Sequence, residues 1–279
     1  MTNENRFAYG FNTSTINKCG LGLPEEFELV AKVGYDAIEP WVSEIETFLE
    51  QGGDLDELRS LAERLELRIV NLIAFFPWAH PDPAKREDGL DDAGRVFGMA
   101  RELDCAYVAA PPSGISDRTD IALSHIAECY VELLDLGREH GTKPLLEFWG
   151  HASLLGTLDE AVEIVAMVDD PDAAILVDVF HMMKGGSDLG LLTDLEANEV
   201  GLIHMNDYPR SPHVSELSDS ERIYPGDGAA PIAQILGSLA EIGYGGVLSL
   251  ELFNKSYQES GAARVAEEGL EKMKRAVER

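Results

Sequence analysis

The sequence predicts a single (β/α)8 barrel, the TIM-barrel fold, as one domain over residues 1–279. Short apolar runs bounded by Gly, Pro or Asp alternate with longer amphipathic segments, a pattern typical of parallel strands linked by helices. Eight such pairs, each averaging about 35 residues, fill the chain. A doubly wound open sheet is the alternative, but no GxGxxG or Walker A sequence follows any strand.

The predicted strands are short and almost continuously apolar, as expected of strands that are covered on both faces. In chain order they are FAYGFN (7–12), YDAIEP (35–40), LRIVNLIAF (67–75), CAYVAAP (105–111), KPLLEF (143–148), AAILVDVF (173–180), VGLIHMND (200–207) and GVLSLEL (246–252). The longest irregular stretch, 207–228, follows the seventh strand.

Each strand is followed by a predicted helix. The helices cover 24–33, 54–66, 86–103, 117–140, 157–168, 187–197, 229–242 and 259–277. Pro24 with two acids after it is a helix-start signal, and Thr157 precedes Glu160 at capping-box spacing. Gly34, Gly141 and Gly243 stand where helices commonly end in a left-handed residue.

The composition is that of a folded, strongly acidic protein, with 45% hydrophobic residues, 51 Asp+Glu against 22 Lys+Arg, and a formal charge of −29. This charge argues against nucleic acid or an anionic membrane as a partner, since both require phosphate neutralisation. The acids are spread along the chain, which favours adaptation to a high-salt cytoplasm, with an ordinary acidic mesophilic protein as the alternative.

The start of the chain and its cysteines also bear on location. MTNENRFAYG lacks the features of a signal peptide, and no window approaches the ~18 apolar residues of a membrane span. Cys19, Cys105 and Cys129 are odd in number and lack CxxC spacing, so they indicate neither a disulfide framework nor a zinc knuckle. We therefore expect a cytoplasmic protein, with monomer and homo-oligomer both open.

Four polar residues end otherwise apolar strands, where TIM barrels place their active sites. They are Glu147, Asp178, His204 and Glu251, from strands five to eight. Burying such side chains is costly unless they are paired or bind a metal. Three carboxylates and an imidazole suit one divalent cation, Mn²⁺, Mg²⁺, Co²⁺ or Zn²⁺, with a structural ion-pair network as the alternative.

The sequence runs around these four residues resemble a known superfamily. The runs are LLEFWGH (145–151), LVDVFH (176–181), LIHMND (202–207), RIYPGDGA (222–229) and LSLELF (248–253). They resemble the xylose isomerase-like sugar isomerase/epimerase superfamily of TIM barrels, and within it the 2-keto-myo-inositol (inosose) isomerase branch. The resemblance covers nearly the whole chain and implies that the same four residues are the metal ligands.

The resemblance also implies substrate contacts for three further residues. His181 matches a histidine that contacts substrate oxygens, and a helix-start histidine bound to backbone is the alternative. His151 matches a position near the metal carboxylate, and Arg222 a basic residue over the substrate. Ordinary loop residues are the alternatives for both. Arg210 matches only the ketose 3-epimerase branch.

Two further kinds of residue are expected around the active site because of their position at strand ends, independently of the family resemblance. Glu39, at the end of the second strand, is expected to bond to substrate hydroxyls or to a metal-bound residue, or else to pair with a barrel arginine. Aromatic residues at strand ends can stack on a sugar ring and exclude water, although packing uses them too. They are Trp41, Phe75, Phe76, Trp78, Trp149 and Phe253.

Together these features predict a metal-dependent isomerase or epimerase of a ketose or cyclic polyol ketone, acting through an enediolate. Glu147 and Glu251 are the expected proton-transferring carboxylates. The absence of a Gly-rich phosphate loop after the first strand favours a neutral substrate. The main alternative is a dehydratase of inosose or 3-dehydroshikimate type; a carbohydrate sensor is weaker, and an endonuclease IV-like activity lacks its extra histidines and basic groove.

Overall fold

The computed structural model describes residues 7–278. Residues 1–6, the start of the segment without a signal-peptide pattern, and residue 279 lie outside them. The strands are β1 (Ala8–Asn12), β2 (Ala37–Glu39), β3 (Arg68–Ile69), β4 (Asn71–Leu72), β5 (Tyr107–Ala110), β6 (Lys143–Glu147), β7 (Ala174–Asp178), β8 (Val200–Met205) and β9 (Val247–Leu250).

The helices surround these strands. They are α1 (Leu23–Val33), α2 (Val42–Glu50), α3 (Leu55–Arg64), α4 (Pro83–Glu102), α5 (Leu123–His140), α6 (Leu158–Val168), α7 (Val179–Gly185), α8 (Ile232–Glu241), α9 (Lys255–Gln258) and α10 (Ala262–Val277). Short 3-10 turns occupy Thr13–Thr15, Leu189–Thr193, Ala197–Glu199, Val214–Glu216 and Asp219–Glu221.

The strands form one parallel sheet in the order β3-β2-β1-β9-β8-β7-β6-β5-β4. β3 and β4 are separated by Val70 alone, and Val70 N donates to Ile38 O at 3.1 Å, so the two segments occupy a single strand position. β3 pairs with β2 and β4 with β5, which brings the two ends of the sheet together. The predicted barrel of eight strand positions is confirmed.

All eight predicted strands are present, whereas the helices differ from prediction in several places. The predicted helix 187–197 is wrong: 3-10 turns stand there, with the Asp188 carboxylate accepting from Gly190 N at 2.8 Å. Such side-chain bonds to nearby backbone compete with an α-helix. The predicted helix 117–140 starts only at Leu123, and α2, α7 and α9 were not predicted.

The predicted helix boundaries rest on identifiable contacts. Thr157 Oγ1 accepts from Glu160 N at 3.2 Å at the start of α6. At the start of α1, Glu25 Oε2 accepts from Gly22 N at 2.8 Å. The three predicted glycines have positive φ, as a left-handed cap requires: Gly34 at 102°, Gly141 at 75° and Gly243 at 78°.

The barrel interior has an apolar layer below a polar one. Its apolar cluster comprises Ala37, Val70, Ile73, Ala109, Leu145, Ala174, Leu176, Leu202 and Val247, apart from the larger core. Because side chains alternate along a strand, the residue two positions after an inward leucine also points inward. Glu147 follows Leu145, Asp178 follows Leu176 and His204 follows Leu202 in this way, so the polar layer lies at the carboxyl ends of the strands.

Across residues 7–278, the helices are too short or too polar to cross a membrane. Cys105 and Cys129 are buried, Cys19 is half-buried, and all three are free thiols.

Candidate active site and metal centre

A cavity of about 330 Å³ opens at the carboxyl ends of the strands. It is lined by Trp41, Ile73, Phe75, Glu147, Trp149, His151, His181, Asp219, Arg222, Glu251 and Phe253. The predicted residues Glu147, Glu251, His181, Arg222, His151 and Trp149 are all in its wall.

Asp178, His204 and Glu251 form a buried cluster next to this cavity, and Glu251 is also part of its wall. Asp178 pairs in register with His204 across β7 and β8, and His204 with Ser249 across β8 and β9. Each of the three offers a ligand atom that lies within 4.8 Å of the other two, and all three side chains are buried. Strand register therefore brings together three of the four predicted metal ligands.

His204 is held from below by Glu39. His204 Nε2 lies 3.1 Å from Glu39 Oε2, and since a carboxylate accepts, the imidazole donates this bond. Glu39 Oε2 also accepts from Asn71 Nδ2 at 2.8 Å. Glu39 is fully buried and is not part of the cavity wall, so its contact is with His204 and not with the space where a substrate would lie.

The other ring nitrogen of His204 faces the two carboxylates. Nδ1 is buried and lies 3.2 Å from Glu251 Oε2 and 3.7 Å from Asp178 Oδ2, at ion-pairing distance but without the geometry of a hydrogen bond. Burying an imidazole and two carboxylates this close together is costly unless an ion pair or a bound cation compensates for their lost solvation. An imidazole nitrogen and two carboxylate oxygens that converge in this way fit a divalent cation.

Glu147 lies in the same cavity but outside the 4.8 Å group. Its Oε1 accepts from Trp149 Nε1 at 3.2 Å. Burial raises the pKa of Glu147 to about 8, and the charges of Glu251 and Asp178 add to this rise while His204 opposes it. The charges of the cluster therefore act on the Glu147 carboxyl. A fourth metal ligand or a proton-transferring group would have to lie within reach of these charges.

Glu251 has the opposite electrostatic environment. Burial disfavours its charged form, but His204 and Arg222 outweigh burial and lower its pKa to about 2. Asn12 Nδ2 donates to Glu251 Oε1 at 3.0 Å, and Asn12 Oδ1 in turn accepts from Trp41 Nε1 at 2.9 Å. The two glutamates thus lie in one cavity with pKa values shifted in opposite directions, an arrangement found in acid–base pairs of enzymes.

Arg222 is the predicted residue with the most contacts at the site, and it is 1% exposed. Its Nη1 donates to Asp178 Oδ2 at 2.8 Å and to Glu251 Oε2 at 2.5 Å. Asp219 Oδ1 accepts from its Nε at 3.1 Å and its Nη2 at 2.6 Å. The guanidinium carbon lies 4.9 Å from the Phe180 ring centre and 5.2 Å from that of Phe253. Arg222 is therefore not a solvated loop residue.

His181 is fixed by its neighbours in a single tautomer. Arg222 Nη2 donates to His181 Nε2 at 3.1 Å, and since arginine can only donate, the ring proton is on Nδ1. Burial lowers the pKa of His181 to about 4, so the ring is neutral near pH 7. The backbone N of His181 donates to Asp178 Oδ1 at 2.7 Å, which orients that carboxylate at the start of α7.

Aromatic rings surround the cavity mouth. Trp41 lies 5.2 Å from Phe75 and 6.1 Å from Phe253, and Phe75 lies 6.0 Å from Trp149, measured between ring centres. His151 stacks on Trp149 at 5.5 Å and is exposed. Phe75 is 48% exposed, unusual for a large apolar side chain. Phe76 and Trp78, also predicted near the cavity, are buried in the core.

The loop after β8 carries both Asp219 and Arg222, and one carboxylate closes its base. Asp207 Oδ1 accepts from Tyr208 N at 2.7 Å and Ala230 N at 2.8 Å, and Oδ2 from Gly226 N at 3.0 Å and Gly228 N at 2.8 Å. A Cβ on Gly228 would collide with the Tyr208 carbonyl and the Asp207 carboxylate, which explains why glycine stands there.

Several site residues were not predicted from the sequence. They are Asn12, Asn71, Asn206, Asp207 and Asp219. Three of them, Asn12, Asn71 and Asn206, stand within or directly after apolar strands, the signal that marked the carboxylates. Asn206 Nδ2 donates to Asp178 Oδ2 at 3.0 Å and its Oδ1 accepts from Phe180 N at 2.8 Å. Asp219 lies in an irregular loop, where no spacing identifies it.

Comparison with known families gives one match over most of the chain. The family model described as a xylose isomerase-like TIM barrel matches residues 27–276. This chain is 30% identical to an inosose isomerase of Halalkalibacterium halodurans over 246 residues, 86% of each chain.

Two further similarities bear on the chemistry. The chain is 28% identical to a 3-dehydroshikimate dehydratase of Pseudomonas aeruginosa over 259 residues, 89% of this chain but 39% of that protein. In three dimensions it is similar to the solved structure of the IolI protein with a binding zinc atom, with a TM-score of 0.89, 25% identity, and coverage of 97% of this chain and 98% of that one.

Proposed function

This chain belongs to the xylose isomerase-like TIM-barrel family and is an enzyme of that superfamily, and we propose that it is a divalent-metal-dependent isomerase or epimerase of an inosose or ketose. The observation that carries the proposal is the convergence of Asp178, His204 and Glu251, with His204 Nδ1 buried and facing a carboxylate oxygen of each acid. The similarity to inosose isomerases and to a zinc-containing structure supports it.

Asp178, His204 and Glu251 would hold the cation, with Glu147 as the fourth ligand. When bound, the cation supplies Lewis acidity that polarises a substrate carbonyl and stabilises the negative charge of an enediolate. Glu39 bonded to the far nitrogen of His204 fixes the ring so that Nδ1 is the liganding atom, as outer carboxylates commonly do at such sites.

The remaining chemistry belongs to side chains of the cavity wall. Glu147 and Glu251 remove a proton from carbon and return it at the neighbouring position or on the other face. His181 and Arg222 bind and orient substrate oxygens, as the superfamily resemblance implies. Trp149 fixes Glu147 by its hydrogen bond, and the aromatic mouth stacks on the apolar face of the sugar and excludes water.

The charge of the cavity favours a neutral substrate. Of the described residues in its wall, Arg222 alone carries a permanent positive charge, and it is already bonded to Asp178, Glu251 and Asp219. Apart from the proposed metal ion, an anionic group would meet only an arginine whose charge these acids already balance. A neutral inosose or ketose therefore suits the cavity better than a phosphorylated sugar or 3-dehydroshikimate, which carries a carboxylate.

A dehydratase is the second candidate, supported by the 28% identity to a 3-dehydroshikimate dehydratase. The same carboxylates would remove a proton from the carbon next to a carbonyl. The hydroxyl on the following carbon, β to the carbonyl, would then leave as water. The products separate the two candidates.

The test is a panel of inososes and ketoses in D₂O with Mn²⁺, Mg²⁺, Co²⁺ or Zn²⁺ added to chelator-treated protein. We expect an isomerised or epimerised product with carbon-bound deuterium, and none in protein kept with chelator. A product that has lost water would assign the dehydratase instead. Failure of all four cations to bind in calorimetry would overturn the metal-dependent proposal.

A further inference from the structure

Arg222 and the proposed cation require the same carboxylate oxygens. Asp178 Oδ2, the oxygen 3.7 Å from His204 Nδ1, already accepts from Arg222 Nη1 at 2.8 Å and from Asn206 Nδ2 at 3.0 Å. Two donors use both lone pairs of a carboxylate oxygen. A cation can therefore take this oxygen only if one of the donors withdraws.

The structure distinguishes between the two donors. Asn206 is fully buried and is held at its other end, where Oδ1 accepts from Phe180 N. Arg222 has further partners on its other nitrogens, namely Asp219 on Nε and Nη2 and His181 on Nη2. Its positive charge would also repel a dication bound to the same oxygens, whereas the Asn206 amide is neutral.

Glu251 Oε2 is shared in the same way. It accepts from Arg222 Nη1 at 2.5 Å and lies 3.2 Å from His204 Nδ1. One guanidinium nitrogen thus bridges the two carboxylates that the imidazole faces. Asp219 is different, since it contacts Arg222 but lies outside the three-residue cluster, and its side chain is 39% exposed.

We propose that Arg222 and a divalent cation exchange at Asp178 Oδ2 and Glu251 Oε2, and that Asp219 is the positioning residue that retains the guanidinium after the exchange. This rests on the proposed function, because it takes a cation to bind at these carboxylates. Asp219, His181 and Arg222 all line the cavity, so Nη1 released from the carboxylates stays beside the substrate space. Cation binding and the orientation of Arg222 are then linked.

The first test is Mn²⁺ titration calorimetry on the full chain after chelator treatment. Arg222→Met keeps an unbranched side chain at this position and removes the competing charge, so we expect Mn²⁺ to bind about 10-fold more tightly than in the parent. The matched control is Arg68→Met, which removes an exposed arginine at the opposite end of the barrel and should leave affinity within about twofold. Equal or weaker binding by Arg222→Met would overturn the exchange.

The second test concerns Asp219 and does not depend on the Arg222 variant folding. In Asp219→Asn the guanidinium loses its alternative anion, so we expect Mn²⁺ to bind about fivefold more weakly. Glu221→Gln, an exposed acid in the same 3-10 turn, is the charge-matched control. If Mn²⁺ affinity fell equally in Glu221→Gln, the loss of any nearby negative charge would explain the effect of Asp219→Asn, and the positioning role of Asp219 would be overturned.

The double variant separates a positioning role from direct attraction of the cation. If Asp219 acts through Arg222, Asp219→Asn should have little effect on Mn²⁺ affinity in the Arg222→Met background. A full effect there would contradict the proposal. Absence of Mn²⁺ binding by the parent would instead defeat the proposed function itself, so the two failures are distinguishable.

Discussion

Each end of the barrel has a cavity, and the larger one lies away from the predicted site. At the amino ends of the strands a cavity of about 510 Å³ is lined by Arg59, Glu63, Arg68, Tyr107, Gly201 and ten other residues. Arg68 is exposed and Arg59 is half-buried, and Arg59 pairs with Asp56 and Glu63 along its own helix. At the carboxyl ends the cavity measures about 330 Å³, and its wall includes four ionisable residues that are between 1% and 7% exposed, namely Glu147, His181, Arg222 and Glu251.

The difference shows that volume alone does not mark an active site. Exposed ion pairs such as those at the amino end contribute little to stability and need no functional explanation. Buried carboxylates and imidazoles lose several kcal/mol of solvation each, so their convergence at the carboxyl end requires compensation by a ligand or by one another. The following variants test this contrast between the two ends.

Replacing the proton-transferring carboxylates should have the largest effect. Glu147→Gln and Glu251→Gln should each lower turnover by about 10³-fold, because glutamine keeps the size of the side chain but cannot accept the proton. Glu63→Gln, in the wall of the opposite cavity, should stay near the parent rate. Turnover and bound metal are measured together on the same samples. A metal-replete Glu251→Gln enzyme at near-parent rate would remove Glu251 from proton transfer.

Glu39 provides a test of the support beneath the cluster. Glu39→Gln removes the charge that holds His204 Nε2, so we expect divalent cations to bind about 10- to 100-fold more weakly while the fold persists. Calorimetry with Mn²⁺ or Zn²⁺ measures this, with Glu63→Gln again as the control. Unchanged affinity would show that the ring of His204 is fixed without Glu39.

A buried acid outside the candidate site, Glu26, should make stability depend on pH. Glu26 on α1 is 3% exposed, and its Oε2 has no hydrogen-bond partner. Burial, with a further contribution from the charge of Glu44, raises the pKa of Glu26 to about 9. The folded protein therefore binds a proton more tightly than the unfolded chain, and its stability falls as pH rises from about 4.5 to about 9.

In Glu26→Gln the contribution of this carboxyl to the pH dependence disappears. At pH 8 we expect the variant to exceed the parent in free energy of unfolding by about 1–3 kcal/mol, and the gain to shrink towards pH 5. Urea unfolding at both pH values measures it. Glu28→Gln, an exposed acid on the same helix, is the control. A gain that is equal at the two pH values would contradict the assignment to this carboxyl.

Salt should screen the repulsion between negative charges over the whole surface, at both ends of the barrel. Its effect on stability is expected to be the smallest of those predicted here. The charge of −29 repels itself in dilute buffer, so the melting temperature should rise by about 5 °C between 0.1 M and 2 M KCl. Thermal melts followed by circular dichroism test this. An equal or lower melting temperature at 2 M KCl would argue against adaptation to high salt.

The sequence predicts the barrel well because its strands carry a strong local signal. Apolar runs such as 143–148 and 173–180 are short, continuous and bounded by turn residues, and each is a strand in the structure. The helix at 187–197 was wrong because an acid that bonds to nearby backbone overrode an amphipathic pattern. The nine-residue helix α2 was missed because only Pro40 and Trp41 separate it from the three-residue strand β2.

The candidate site was predictable to the extent that it lies on strands. Alternation along β6 to β9 fixes which side chains enter the barrel, so Glu147, Asp178 and His204 could be identified from position alone. The network around Arg222 could not, since Asp219 and Arg222 sit on a long loop whose path depends on tertiary contacts. Nothing in their spacing indicates that Arg222 reaches Asp178, 44 residues earlier in the chain.

The Asp207 carboxylate has a consequence for how the enzyme can change over evolution. Its four backbone bonds join the two ends of the loop at residues 208 and 226–230, so the intervening segment begins and ends at a fixed anchor two residues after β8. Longer or shorter segments can be closed on such an anchor at small entropic cost, because that cost grows only slowly with loop length. Arg222 and Asp219, which line one side of the cavity, can therefore be replaced together by substituting this loop segment. The strands that supply the carboxylates then remain unchanged.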